Sequence, residues 1–381
     1  MTAYTAVNKE KVVIIIPTYN EASVIKNTLT KLFEAVQDLA HFDAHVLVFD
    51  SASTDDTQQM VSHLQAYYPQ LHLQKEAQKS GLGSAYLQAM NYALHTMQAD
   101  IIIEFDADLS HQPKYIAPML ELLKTKDCVV GSRYILGGSI PANWAWHRKL
   151  FSVLGNYVAR SVLTHKYKDF TSGFRATRRQ SLLKILPEKF LSANYAYKLH
   201  LLWLLHKSKA KIVEYPIEFI DRAFGESKLP KNSIIDSLRV VFTLRYYELK
   251  RYLSMCLVGS IGMTVQFITY NGLRPFLTPF NATQIAVLIA IINNFILNNR
   301  FTFKSTSVNN QPITIKKLMS FTLYSLLVIY LQSGWMWLGI HYLGTGALQE
   351  NAMIITGSGL ISLLNYFTYS RHIWAERLAS S

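Results

Sequence analysis

Ile101-Ile-Ile-Glu-Phe-Asp-Ala-Asp108 is a run of β-branched residues that ends in two aspartates one residue apart. A buried strand accounts for the isoleucines but not for the carboxylates behind them. In an extended chain residues i and i+2 point the same way, so Asp106 and Asp108 are expected to converge. Two like charges that close raise each other's pKa unless a cation lies between them. Carboxylates together with phosphate oxygens suit Mg²⁺ or Mn²⁺. The strand end is therefore expected to hold a divalent metal and, through it, a phosphate. The alternative is a pair of solvated aspartates at a turn.

Outward from this stretch, the first ~230 residues alternate short apolar runs with amphipathic segments, the pattern of an α/β layer fold. Strands are predicted at residues 12–16, 46–49, 71–74, 101–105 and 128–131, and helices at 23–39, 57–68, 83–97 and 113–124. In such sheets function gathers at the carboxyl ends of strands. Three polar clusters fall there: Pro17-Thr-Tyr-Asn-Glu21, Asp50-Ser-Ala-Ser-Thr-Asp55 and Asp106-Ala-Asp108.

The second part of the chain is made of different material. Residues 252–273, 275–299, 318–349 and 351–370 contain no Asp, Glu, Lys or Arg. A bilayer core needs roughly 20 apolar residues per helix, so four transmembrane helices fit; a very apolar soluble helical domain is the alternative. Eight basic and two acidic residues lie beyond residue 250, so the net charge of +13 divides into +7 before residue 251 and +6 after it. A basic total suggests nucleic acid or an anionic membrane, and the apolar blocks favour the membrane, with no nucleic acid as partner. Lys250, Arg251, Arg300, Lys304, Lys316, Lys317, Arg371 and Arg377 flank the spans on one side. The positive-inside rule then puts both termini in the cytoplasm. Residues 12–16 are too short an apolar run for a signal peptide, so the α/β domain is expected on the cytoplasmic side of an integral membrane protein. Two cysteines, Cys128 and Cys256, make neither a disulfide framework nor a zinc site. Residues 231–250 carry Ile234, Ile235, Leu238, Val241, Phe242 and Leu249 at helical spacing. They read as an interfacial amphipathic helix on the headgroups or as an ordinary packing helix. The domains expected are 1–230, the linking helix 231–250, and 251–381.

Six motifs follow one another in order: Pro17-Thr-Tyr-Asn-Glu21, Gly81-Leu-Gly-Ser-Ala-Tyr86, Asp106-Ala-Asp-Leu-Ser-His-Gln-Pro113, Gly131-Ser-Arg-Tyr134, Thr171-Ser-Gly-Phe-Arg175 and Arg222-Ala-Phe-Gly-Glu-Ser-Lys228. Over residues 10–230 this series resembles the polyprenyl-phosphate glycosyltransferases of glycosyltransferase family 2, the dolichyl-phosphate mannose synthases above all. The membrane half resembles the GtrA-like four-span family, chiefly in Asn293-Asn-Phe-Ile-Leu-Asn-Asn-Arg-Phe-Thr-Phe303. The resemblance implies a GT-A (Rossmann-like) catalytic domain, a nucleotide-sugar donor, Mg²⁺ or Mn²⁺, and a lipid-phosphate acceptor.

On that footing Pro17, Tyr19 and Glu21 would lodge the base and ribose, and Asp50 would bind the nucleoside. The family pattern has a second Asp after Asp50 and Gly-Thr a few residues on. This chain has Ser51 and Asp56-Thr57, which leaves the base preference open. Gly81 and Gly83 would let backbone approach the nucleotide or merely make a tight loop. Asp106 and Asp108 would hold metal and diphosphate, with Ser110 completing the shell and Ala107 reaching the ribose through its backbone. Arg133, Arg148 and Ser152 match acceptor-phosphate positions, and Arg148 alone also reads as a surface or headgroup contact. Arg222 and Lys228 match a donor-side arginine and a flexible-loop lysine, with Gly225 and Ser227 making the segment a lid. Asp106, Asp108 and Arg222 would carry catalysis. His111 reads as a bystander; the alternative is that it tunes the metal.

The acceptor phosphate arrives ionised, so no general base is needed, and a single in-line displacement with inversion is expected. GDP-mannose is the favoured donor; UDP-glucose or a UDP-N-acetylhexosamine with undecaprenyl phosphate is the alternative. The spans would anchor the enzyme or also flip its product. A processive polysaccharide synthase is disfavoured, because the Gln-x-x-Arg-Trp motif of such enzymes is missing.

Overall fold

A computed structural model of the protein describes residues 9–39, 41–221, 232–298, 300 and 315–368. The chain divides into two compact units, Met1–Arg245 and Tyr246–Ser381.

The first unit is built on β1 (Glu10–Thr18), β2 (Phe42–Asp50), β3 (Leu71–Lys75), β4 (Ile101–Glu104), β5 (Cys128–Ser132), β6 (Arg175–Arg178) and β7 (Ile212–Pro216). They form one sheet in the order β3-β2-β1-β4-β6-β5-β7. β6 runs antiparallel to β4 and β5, and the other pairings are parallel. Val12 to Ile16 are wholly buried, as expected of a parallel strand covered on both faces.

Alternate residues of the strands feed two cores. Val13, Ile15 and Ile102 pack with α3 (Leu82–His95) and α7 (Tyr197–Lys207). Val12, Ile14, Ile101, Ile103 and Phe105 pack with α1 (Ile25–Val36), α2 (Thr57–Leu64) and α4 (Ile116–Leu123). Each predicted strand and helix is present, with ends that differ by a few residues. One end matters: β4 stops at Glu104, Ala107 and Asp108 lie in a turn, and Leu109 is left-handed (φ 57°). The alternation expected to carry on through Ser110 is broken there.

Four elements around the site were not read from the sequence. β6 is Arg-Ala-Thr-Arg, too short and polar to signal a strand. α7 is buried along nearly its whole length, so it shows no amphipathic period. α5 (Trp146–Val162) and α6 (Arg179–Ile185) complete the set.

The expected linking helix and the first expected span form one continuous helix, α8 (Ser233–Leu273). Val240, Val241 and Leu244 are buried in the core of the first unit, whereas Ile234, Ile235 and Phe242 are exposed. α9 (Pro279–Leu297), α10 (Ile315–Leu343) and α11 (Ala347–Thr368) follow. Thr278 caps α9, its side chain accepting from Asn281 N–H, and Pro279 opens it. Among the described residues three helical segments are long and apolar enough to cross a membrane: Tyr252–Leu273, Pro279–Leu297 and Thr322–Leu343. α11 stands where the fourth span was expected but is not among them. Inside this unit Gln266 donates to Gln332 (2.8 Å) and accepts from Ser358 (3.0 Å).

Candidate active site

The loops after β1 and β2 are laced together. Asn20, left-handed at φ 52°, donates its N–H to Ser53 Oγ (2.9 Å), and its side-chain carbonyl accepts from Thr54 N–H (2.8 Å). Glu21 N–H donates to Thr57 Oγ1 (2.8 Å) and Ala22 N–H to Asp55 (3.1 Å). Asp50 is wholly buried beneath them and accepts from Thr18 Oγ1 (2.8 Å), Ser53 Oγ (2.6 Å), Ser53 N–H (2.9 Å) and Gln58 Nε2 (2.6 Å). Its carboxylate thus shapes the loop at the edge where the nucleoside is expected from the sequence. Pro17, Tyr19 and Glu21 are half-buried at the same edge, and the Lys79 ammonium sits 3.3 Å from the centre of the Tyr19 ring. Lys79 went unnoticed in the sequence.

Gly81 adopts φ +101° at the start of α3, and a Cβ there would stand 2.5 Å from the Ala193 carbonyl. Gly83 N–H donates to that same carbonyl (2.7 Å). The close approach these glycines permit is to residues 192–194, which lead into α7.

At the end of β4, Asp106 points to the α7 side and its side chain is 26 % exposed. Asp108 accepts from Ser110 N–H (3.0 Å), closing the turn. The Ala107 carbonyl accepts from Thr28 Oγ1 (2.6 Å) and is tied to α1. Ser110 is buried within that turn. His111, read as a bystander, lies with Nδ1 3.6 Å from Asp106 Oδ2, its ring stacked on Phe174. Burial above all pulls its pKa down to about 4, against the opposite pull of Asp106.

Ser110 Oγ and His111 Nδ1 are buried and have no hydrogen-bond partner among the described residues. Two carboxylates and a hydroxyl are a hard donor set that fits Mg²⁺ or Mn²⁺. Among the described residues no three acidic, His or Cys side chains enclose an ion by themselves. Phosphate oxygens or water would have to complete its shell.

Directly below lies a charge pair the sequence reading missed. The register sets Arg175 opposite Glu104, with Arg175 Nε 3.1 Å from Glu104 Oε2, and Tyr197 OH donates to Oε1 (2.9 Å). Burial raises the Glu104 pKa, and Arg175 and Tyr197 oppose that shift.

Just after β5, Arg133 grips the wholly buried Asp169 through Nε (2.7 Å) and Nη2 (2.8 Å) and reaches Thr171 Oγ1 (2.7 Å). The bidentate edge expected to meet phosphate is thus turned to Asp169. Asn156 of α5 donates to Thr171 Oγ1 (3.1 Å), and Ser152 shares a 2.6 Å hydrogen bond with Tyr134. Arg148 stacks on Trp144 at 3.9 Å and stands 3.4 Å from Asp221. Phe219 ties these parts to the metal side: its ring contacts His111, Trp144 and Arg133. Phe219 thus links His111, which lies beside Asp106, to Arg133 and to Trp144, on which Arg148 stacks. Arg222, Lys228 and the expected lid lie outside the described residues.

The profile of Glycosyl transferase family 2 matches residues 13–186, and that of the GtrA/DPMS transmembrane domain matches 255–374. An undecaprenyl-phosphate mannosyltransferase of Micrococcus luteus is 36 % identical over 219 residues, 58 % of this chain and 87 % of that protein. A dolichol-phosphate mannosyltransferase of Pyrococcus furiosus is 31 % identical over 355 residues, 87 % of this chain and 93 % of that protein. A polyprenol monophosphomannose synthase of Mycolicibacterium smegmatis is 32 % identical over 231 residues, 60 % of this chain and 84 % of that protein.

Proposed function

Because the chain belongs to glycosyl transferase family 2, as a glycosyltransferase joined to a GtrA/DPMS membrane domain, we propose that it moves mannose from GDP-mannose to a polyprenyl phosphate. The names of the three relatives pair mannose with an undecaprenyl, dolichol or polyprenol phosphate, and GDP-mannose is the donor we assign to that transfer. One observation carries the reading in this chain. Through Phe219, His111 beside Asp106 is linked to Arg133 and to Trp144, the ring on which Arg148 stacks, and Ser110 Oγ and His111 Nδ1 are buried with no hydrogen-bond partner among the described residues. That is a place for two phosphorylated reactants to meet.

In the proposed reaction an ionised oxygen of the acceptor phosphate attacks the anomeric carbon of mannose. The bond from that carbon to the donor β-phosphate breaks, and its electron pair leaves with GDP. No proton moves, because the nucleophile is already ionised. Attack opposite the leaving group turns the α-linked donor into a β-linked lipid-phosphate sugar. Asp106, Asp108 and Ser110 would hold Mg²⁺ or Mn²⁺; the chemistry such a cation supplies when bound is neutralisation of the departing diphosphate. Pro17, Tyr19, Glu21 and the laced loops would hold the nucleoside. Arg148, Ser152 and the remaining edge of Arg133 would hold the acceptor phosphate, with Arg222 and Lys228 closing on the donor.

α5 supports delivery of the acceptor from a bilayer. Arg148, Ser152 and Asn156, one turn apart, face the site, whereas Trp146, Leu150, Val153, Leu154 and Tyr157 are exposed. An apolar stripe turned outward suits the headgroup boundary of a membrane. The GtrA/DPMS domain and the apolar helices make this a membrane protein. We take α11 as a fourth span and both termini as cytoplasmic, by the distribution of basic residues.

The test is a donor screen with the purified full chain, undecaprenyl phosphate, Mg²⁺ or Mn²⁺, and labelled GDP-mannose, UDP-glucose or UDP-N-acetylglucosamine. Transfer from GDP-mannose with a β-linked product is expected. Transfer from UDP sugars alone would overturn the mannose assignment, and an α-linked product would overturn inversion.

A further inference from the structure

Lys198 is the second residue of α7, and 6 % of it is exposed. A lysine so buried ordinarily has a carboxylate partner. Of the nearby acids, Glu104 is engaged by Arg175 and Asp169 by Arg133, which leaves Asp106 as the carboxylate beside it. Among the described residues Lys198 belongs to no ion pair, and its ammonium lies 5.4 Å from the centre of the Tyr195 ring. Helix stability does not explain it either, since positive charge in the first turn opposes the helix dipole.

Its position is set by Gly173. A Cβ on Gly173 would collide with Lys198 Nζ and would lie 3.3 Å from Asp106 Oδ2. The ammonium and the Asp106 carboxylate therefore flank the same small space, and the missing side chain at 173 keeps that space open. The hydrogen bonds from Gly83 and the 192–194 loop hold the start of α7 in place. Four carboxylates (Glu104, Asp106, Asp108, Asp169) and three cations (Arg133, Arg175, Lys198) crowd this strand end, and among the described residues Lys198 is the one of these cations that forms no ion pair.

We propose that the Lys198 ammonium is a phosphate-binding group of the active site, facing the reacting centre beside Asp106 and contacting a phosphate oxygen of one of the two substrates. The proposal rests on the phosphoryl-sugar transfer reading above. A buried ammonium is expected to take its counter-charge from an arriving anion, and phosphate is the anion common to both reactants. The donor diphosphate and the acceptor monophosphate are the two sources.

Three variants of the full chain test it: Lys198→Met, Lys198→Arg and Gly173→Ala. Lys198→Met keeps length and removes charge. Gly173→Ala keeps the charge but pushes the flexible ammonium aside. Two readouts separate the sources: the Kd of GDP with Mg²⁺ by calorimetry, and the KM for undecaprenyl phosphate at saturating GDP-mannose. Lys198→Met is expected to weaken one of them about tenfold, the contribution of one hydrogen bond to a charged group. A change in the GDP Kd assigns the donor diphosphate, and a change in the KM alone assigns the acceptor. Lys198→Arg should restore most of the loss. Gly173→Ala should reproduce it, and the double variant Gly173→Ala/Lys198→Met should be no worse than Lys198→Met alone. Unchanged Kd and KM in a folded Lys198→Met protein overturn the proposal. So does a loss of melting temperature with neither constant moved, which marks a structural lysine. A wild-type chain that neither binds GDP nor transfers mannose fails the transfer reading itself, before any variant is compared.

Discussion

Asp169 decides whether Arg133 can serve the acceptor side. It is wholly buried and takes two guanidinium hydrogen bonds and the Arg133 N–H. Burial alone would raise its pKa, but the Arg133 charge and hydrogen bonds outweigh that and hold it below the usual carboxylate range. Asp169→Asn leaves a buried guanidinium uncompensated, which costs about 3–5 kcal/mol of a domain stability of about 5–15 kcal/mol. A clear drop in melting temperature and a raised KM for prenyl phosphate are expected; an unchanged melt would show that the pair is not structural. Asp106→Asn and Asp108→Asn should instead leave the melt nearly intact while transfer falls by about a hundredfold or more, since metal charge stabilisation amounts to several kcal/mol. Retained turnover in either variant would refute the metal assignment. His200 gives a pH signature. Its Nδ1 accepts from Leu191 N–H (3.1 Å), and burial lowers its pKa to about 4. The unfolded chain binds that proton already near pH 6.5, so the stability His200 contributes is whole above 6.5 and is lost as pH falls toward 4. His111 adds in the same direction. Melting temperature measured from pH 7 to 4.5 should fall, and His200→Gln, whose carbonyl can still accept from Leu191, should flatten part of that slope.

Two helices show what periodicity conveys and what it leaves out. α5 turns Arg148, Ser152 and Asn156 toward the network of Thr171 and Tyr134 and leaves Trp146, Leu150, Leu154 and Tyr157 outside. A helix on a water-soluble surface has the opposite arrangement. If that stripe sits in lipid, Leu150→Glu together with Leu154→Glu should cut transfer to a long prenyl phosphate in vesicles by about tenfold or more, two buried apolar side chains amounting to several kcal/mol. Activity on a short, soluble prenyl phosphate should persist. Equal losses on both acceptors would argue against membrane contact. Residues 231–250 carried the clearer amphipathic pattern in the sequence, yet Val240, Val241 and Leu244 from that stretch are buried in the protein core. A pattern reveals that one face is apolar and not what covers it. The same limit applies around β4. The isoleucines and carboxylates announced a strand end with anionic chemistry. The left-handed Leu109, the Glu104–Arg175 pairing and the Lys198 ammonium depend on a turn and on partners some 70 to 95 residues away, which local sequence does not encode legibly. Asp50 is legible as a carboxylate at a strand end, but its hydrogen bonds from Thr18 of β1, Ser53 of the loop and Gln58 of α2 are not revealed by spacing alone.

At the scale of the molecule, every described residue assigned here to donor, metal or acceptor lies in the unit Met1–Arg245, so transfer and membrane residence are separable in principle. The place to separate them follows from α8. A break after residue 230 coincides with the end of the resemblance to the catalytic family, but it discards the first turns of that helix. Those turns supply Val240, Val241 and Leu244 to the core that also holds α3 and α7, and Asp236 accepts a hydrogen bond from Ser192 beside the Gly83 contact. Burying each such apolar side chain contributes about 1.5–3 kcal/mol, so the three together rival the roughly 5–15 kcal/mol that holds a domain folded. Their loss would also uncover α7, which carries Lys198 and Tyr197 into the site. A fragment ending at residue 230 is therefore expected to aggregate or to lose its cooperative melt and its affinity for GDP. A fragment ending at residue 250 should melt cooperatively, bind GDP with Mg²⁺ as the full chain does, and transfer mannose to a short soluble prenyl phosphate. Circular dichroism melts and GDP titration of the two fragments decide the matter: equal behaviour would mean that the amino-terminal part of α8 is dispensable to the catalytic core.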